Sequence, residues 1–308
     1  GTLAYLTKFY CASNNIDGTL PTEMGRLINL RDFELYSNML TGTIPSQFSN
    51  FKALKRFWIT DNHLTGTFPA AIFGMMSLED LYLDENNFEG TLPPELNGMS
   101  KLKDIRLSNN TFTGCPPRQL YQMPKLRILY IDNNKFECVL ESYVYTGPVL
   151  EDLQVFANSF YGPLPNVPSG LTSALQVLVV SYNNLNGAIP ASYGTLKNLL
   201  KLSVSRNNLG STLPKELSTL DKLEYLDLTG NKFIGRIYNE YSSLKDLKKV
   251  TFYDNNFSGN IPAGICNLIT QGQLEFVTAD CNPSNPKVTC SCCVCSNLII
   301  APRHGYGA

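Results

Sequence analysis

The sequence predicts a repeat solenoid, and three observations predict it. Leucine recurs every 24 residues, at Leu30, Leu54, Leu78, Leu102, Leu126 and Leu150. An asparagine recurs with it in eleven of eleven units, at Asn14, Asn38, Asn62, Asn86, Asn110, Asn134, Asn158, Asn183, Asn207, Asn231 and Asn255. A Gly and then a Pro follow in the clearest copies, as in "LRDFELYSNMLTGTIP" and "LEDLYLDENNFEGTLP". A fixed period of this length means stacked copies of one supersecondary unit around a continuous core.

Each part of the unit has its own physical reason. In the x-L-x-L-x segment the leucines turn into the core and the x positions turn out, as alternation along a strand requires. Where the chain leaves that strand, buried backbone groups need partners, and an Asn amide both donates and accepts, so stacked copies form a ladder. The Gly that follows, Gly42 or Gly90 for example, supplies a permissive turn, and the Pro after it caps a short extended piece. Counting back from Leu30 adds Leu6. After Leu150 the register slips once, to Leu175, and resumes at Leu199, Leu223 and Leu247.

The L-x-x-L-x-L-x-x-N-x-L-x-G-x-I-P unit resembles the leucine-rich repeat family. Its G-x-I-P half is similar to the plant-type subclass of receptor kinase ectodomains and polygalacturonase-inhibiting proteins. The C-terminal "ADC" and "VTCSCCVC" segments resemble instead the caps of extracellular leucine-rich repeat proteins of diatoms and related algae. The resemblance implies an α/β-type solenoid, a right-handed superhelix with a parallel β-sheet on the concave face and mostly 3-10 or irregular convex segments. It covers about residues 1–270 as the solenoid, with the N-terminal cap absent, and leaves 271–308 as a Cys-rich cap and tail.

Two units depart from the pattern. The sixth carries Cys138 where Gly is expected and Glu141 where Pro is expected, and the seventh carries the one-residue insertion with Pro168 and Gly170. Cys115 and Cys138 stand at nearly the same offset in adjacent units, at disulfide distance on the stack. Cys11 occupies a core leucine position and reads as a small buried hydrophobe. Cys266, Cys281, Cys290, Cys292, Cys293 and Cys295 gather beyond the last full unit. Adjacent Cys292 and Cys293 cannot easily aim both sulfurs at one ion, and the open end of a solenoid core needs a staple, so three disulfides are expected and no metal. Fifteen pairings are possible and the sequence selects none of them. Disulfides imply an oxidising compartment, and the sequons at Asn109 and Asn256 agree with a secreted glycoprotein or cell-surface ectodomain.

Composition excludes several function classes. Lys plus Arg is 25 against 26 Asp plus Glu, which gives nucleic acid or anionic lipid no foothold. No apolar run approaches the roughly 20 residues of a membrane span. The two histidines, His63 and His304, have no Ser or Cys nucleophile set beside them, so neither an enzyme nor a cofactor is expected. Asp61, Asp84, Glu85 and Asp132 fall on one side of the sheet, where a solvated acidic face is the plain alternative to a calcium site.

What remains is the outward face of the strands. Its middle column includes Trp58, Tyr82, Arg106 and Tyr130, the next column Tyr36, Asp84, Asp132 and Phe156, and the third Asp80, with Glu85 on the adjoining turn. Exposed aromatics flanked by charge make an interface hot spot or a sugar-stacking platform. The expected function is therefore an extracellular recognition module, a cell-adhesion protein among the possibilities, that binds protein, peptide or cell-wall glycan on the concave face. A structural or adhesive protein that self-associates into filaments or matrix, and an inhibitor of a secreted glycan-degrading enzyme, are the alternatives.

Overall fold

Leu81 and Leu83 can both reach the core only if the backbone between them is extended, and the chain accordingly forms a strand at Asp80–Tyr82, with both leucines fully buried. The same reasoning holds in the repeats after the first. The computed structural model describes residues 5–281 and 286–295; residues 1–4, 282–285 and 296–308, His304 and much of the expected tail among them, lie outside the described residues. The chain divides into two compact units, Gly1–Tyr161 with Ser173–Leu175, and Gly162–Thr172 with Gln176–Ala308.

In the first unit the strands Lys8–Tyr10, Asp32–Glu34, Arg56–Trp58, Asp80–Tyr82, Asp104–Arg106, Ile128–Tyr130 and Asp152–Gln154 pair in parallel, each residue opposite the one 24 positions on. The second unit repeats the ladder with Val177–Val179, Lys201–Ser203, Tyr225–Asp227 and Lys249–Thr251, and the Cys-rich region extends it with Phe276–Ala279 and Val294–Cys295. The convex segments are mostly short 3-10 helices, and those such as Ser46–Asn50 and Lys215–Thr219 start directly after the repeat's Pro, whereas Ser142–Tyr145 follows Glu141 and Asn239–Ser243 follows Tyr238. Arg118–Tyr121 and Ala263–Thr270 are α-helical instead. This is a parallel-stranded repeat solenoid extended by a disulfide-rich segment.

The Asn ladder has the geometry its position demands. In the fourth repeat Asn86 Nδ2 donates to the carbonyls of Ile59 (3.0 Å), Leu83 (3.2 Å) and Asp84 (3.1 Å), while its Oδ1 accepts from Leu64 N–H at 3.0 Å. One amide thus serves four backbone groups across two repeats, and Asn207 does the same in the second unit. A phenylalanine spine, Phe88, Phe112, Phe136 and Phe160, stacks beneath the first ladder at 6.3–6.4 Å between ring centroids.

Three features go beyond the sequence expectation. The run after each Asn, read as a turn, forms a second, lateral parallel sheet, which in the first unit includes Met39–Gly42, His63–Thr67 and Asn87–Gly90, with neighbours offset by 22 residues. The residue before each ladder Asn adopts positive φ: Asp61 (55°), Glu85 (53°), Asn109 (53°), Ala157 (50°) and Arg206 (53°) are examples, and only Gly230 among these positions is a glycine. Cys11 is half-buried rather than enclosed, because among the described residues no repeat packs on the outer side of the first one.

Candidate functional site

The strand face of the first unit gathers Tyr36, Trp58, Tyr82, Arg106 and Tyr130. Alternate strand residues point away from the core, and the 24-residue register places Trp58, Tyr82, Arg106 and Tyr130 in one column. The Tyr36 and Trp58 rings stack at 4.2 Å. Trp58 meets Tyr82 edge-on, at 5.4 Å and 88°, so the strip is a corner of rings rather than one flat stack. The Arg106 guanidinium lies 4.7 Å from the Tyr82 ring and 5.2 Å from Tyr130, a cation held between two aromatic faces.

Most of the acids on this face are committed to internal partners. Arg106 reaches Asp104 with two hydrogen bonds, 3.2 and 3.0 Å, and the Tyr82 hydroxyl donates to the same carboxylate at 2.9 Å. Tyr130 donates to Asp152 at 2.7 Å. Arg56 Nη1 lies 3.0 Å from Glu34 and 3.8 Å from Asp32, and its Nε lies 3.7 Å from Asp80. The face read from sequence as acidic is thus a charge network in which two arginines satisfy most of the carboxylates.

Asp84 and Asp132 differ, since neither has an ion-pair partner among the described residues. Thr60 Oγ1 donates to Asp84 at 2.8 Å; Asp132 accepts from Ser108 Oγ at 2.6 Å and from Asn133 Nδ2 at 2.8 Å. Burial pushes the Asp84 carboxyl up to about 6, opposed by the Thr60 hydrogen bond and by Arg106. Burial also raises Asp132, with Ser108 and Asn133 opposing, and raises Asp80, with Asp104 adding to the effect. Burial and then Asp104 carry the Tyr82 hydroxyl well above its ordinary range, so it stays a donor.

Glu85 is exposed on the positive-φ turn. Phe156 is half-exposed in the column of Asp132. Thr60 and Ser108, the donors to these two acids, belong to the candidate site and were passed over by the sequence reading. Their signal was the 24-residue step that sets each opposite its Asp.

The cysteines pair as Cys115–Cys138, Cys266–Cys292, Cys281–Cys295 and Cys290–Cys293. The sulfurs of Cys266, Cys290 and Cys292 lie within 4.8 Å of one another, as compact as a thiolate metal site, but each is held in a disulfide. Asn109 and Asn256 are both exposed.

Comparison with known proteins places this geometry in context. The family description "Leucine rich repeat" matches residues 28–88, 92–136 and 173–233, and a related repeat description matches 246–268. No curated protein matches the chain. Among solved structures, the PEPR1–AtPEP1 complex is similar with a TM-score of 0.81 and 27% identity, over 94% of this chain and 42% of that one. The Arabidopsis receptor kinase HAESA, in complex with the peptide hormone IDA and the co-receptor SERK1, gives 0.68 and 27%, over 92% and 50%. A plant ice-binding protein gives 0.69 and 26%, over 88% and 84%. The chain therefore spans half or less of the length of the first two of these chains.

Proposed function

The chain belongs to the leucine-rich repeat family, and on that premise we propose that it is an extracellular recognition module that binds a peptide or a segment of another protein on the strand face of its first unit. The observation that carries this reading is the aromatic corner at Tyr36, Trp58 and Tyr82, continued by the Arg106 guanidinium between Tyr82 and Tyr130. Rigid aromatic and arginine side chains, immobilised before a ligand arrives, form contacts at low entropic cost. The likeness to HAESA, a receptor kinase in complex with a peptide hormone, favours a peptide over a glycan. Four disulfides support an oxidising compartment, and no helix among the described residues is long and apolar enough to cross a membrane. The exposed Asn109 and Asn256 fit glycan attachment there. The test is peptide display on the immobilised protein, with Trp58→Ala/Tyr82→Ala as the comparison. Enrichment that the double variant loses supports the reading, and enrichment it retains in full overturns it.

A second reading is favoured by the lateral sheet of the same unit. Thr41 and Thr65 donate their hydroxyls to the Gly18 and Gly42 carbonyls, both at 3.2 Å, which fixes their rotamers, and Thr19, Thr43, Thr67 and Thr91 are exposed beside them. A rigid, regularly spaced array of methyls and hydroxyls is suited to an ordered water surface, and the resemblance to a plant ice-binding protein points the same way. Inhibition of ice recrystallisation by the purified protein, abolished by Thr41→Lys/Thr65→Lys, is the expected result. No inhibition would remove this reading.

A further inference from the structure

Each of the other carboxylates of the first strand face has either an ion pair or two side-chain donors. Asp32, Glu34 and Asp80 share Arg56, Asp104 holds Arg106, Asp152 accepts from Tyr130 and Gln154, and Asp132 has two side-chain donors. Asp84 has one side-chain donor, Thr60, and no ion pair among the described residues. A carboxylate withdrawn from water without a counter-ion is costly to keep, and a cation supplied from outside would relieve that cost.

Its neighbours have the character that such a cation requires. Tyr36, Thr60 and Asp84 follow one another in a single column, and Trp58 leans from the adjacent column onto Tyr36. Stacking on Tyr36 and a T-shaped contact with Tyr82 fix the orientation of the indole, on the strand next to the one that leads to Asp84. Aromatic faces and a carboxylate attract the same kind of group, a positively charged nitrogen. The two arginines of this face are anchored elsewhere, and the carboxylates around them disfavour an anionic ligand.

We infer that Asp84, together with Trp58 and Tyr36, is the seat for a cationic group of the ligand, a protonated primary amine or a guanidinium carried by a peptide. This rests on the strand face being the binding face, and it names the chemistry that face selects. It also makes binding depend on pH. The charges bearing on Asp84 are Arg106 from the following strand, which favours the carboxylate, and Glu85 on its own turn, which opposes it; the preceding strand contributes the Thr60 hydroxyl. With the carboxyl pushed up to about 6, binding of a cation weakens as the pH falls through that value.

Trp58 is the single tryptophan of the chain, so its emission reports on the seat directly. The experiment titrates the whole protein with a lysine tripeptide amide and, separately, with the same peptide acetylated at every amine, at physiological ionic strength. The lysine peptide is expected to change Trp58 emission saturably and the acetylated one not. Asp84→Asn should weaken the lysine peptide about tenfold or more, the loss of one charged partner, while Glu89→Gln, exposed on the lateral sheet, should change it less than about twofold. Equal responses to the two peptides, no response to either, or an Asp84→Asn protein that binds as the wild type does would each overturn the inference. A saturable response to both peptides that Asp84→Asn leaves unaffected, with the heat of peptide binding in calorimetry lost on Trp58→Ala/Tyr82→Ala, would remove the cation seat and leave the binding face standing.

Discussion

The two units share a backbone and differ in what they present on it. On the first strand face large rings and long charged side chains interlock, with Arg106 between Tyr82 and Tyr130 and Arg56 among Asp32, Glu34 and Asp80. On the second the corresponding columns are short hydroxyls: Ser181 Oγ lies 2.7 Å from Ser203 Oγ and accepts from Ser205 at 3.0 Å, and Ser203 donates to Asp227 at 3.2 Å. Beneath both faces the Asn ladder is the same to within a few tenths of an ångström, as Asn86 and Asn207 illustrate. The residues that specify the fold and those that specify the surface are therefore separate sets within each repeat, and one set can be changed without the other.

That separation can be broken most forcefully at the ladder. Asn86→Leu and Asn207→Leu each strip several buried backbone groups of their partner and should each lower stability by about 4 kcal/mol in chemical denaturation. Equal losses are expected despite the different faces above them; a loss confined to one unit would show that the ladders are not equivalent. The next effect belongs to the first face alone. Trp58→Ala/Tyr82→Ala should cost about 2–4 kcal/mol of binding to a displayed peptide with little change in melting temperature, whereas Ser203→Ala/Ser205→Ala should leave that affinity unaltered. Unfolding of the aromatic variant, or loss of binding in the serine variant, would defeat the comparison.

The smallest effect concerns pH. The folded-state carboxyl of Asp84 is raised from 3.8 to about 6, so the native state holds its proton more tightly than the unfolded chain does. The resulting penalty is fully present above about 6 and is relieved as the pH falls from 6 toward 3.8. Asp84→Asn should therefore stabilise the protein at neutral pH by on the order of 2 kcal/mol and lose that advantage in acid. A constant difference between the two proteins across this range would count against the buried carboxylate.

The parts legible in the sequence are those in which one residue type has one task. Leucine at a 24-residue step has only the core to serve, and an Asn repeated at a strand exit has only the ladder, so the strands and their register could be written down directly. Cys115 and Cys138 were legible as a pair because the register places them side by side, with Cα atoms 5.5 Å apart. The pairing within the Cys-rich segment was not, since Cys266 and Cys281 reach partners in the irregular run around Cys292 and Cys295, where no period applies. The lateral sheet was hidden because its strands are two to five residues long and interrupted by glycine. The positive-φ position was hidden by its variety: Asp61, Glu85, Ala157 and Arg206 have no chemistry in common, only a backbone shape that the Asn after them stabilises. At the site, the outward columns could be listed, but which acid each arginine satisfies depends on side-chain torsions. Asp84 emerged only after the other acids had found their partners.

The constant register has a consequence for how such a chain can change over generations. Within the regular repeats of each unit, opposite each strand residue stands the residue 24 positions on, and opposite each lateral-sheet residue the one 22 positions on. Unequal recombination that removes or duplicates one whole repeat inside a unit therefore rejoins leucine to leucine and Asn to Asn, and both sheets close again over the seam. An exchange of any other length would set outward residues against the core. The array can thus be inherited in different lengths while its surface columns are reshuffled, and a face such as that of Tyr36, Trp58 and Tyr82 can arise or vanish in one event without the fold having to be found again.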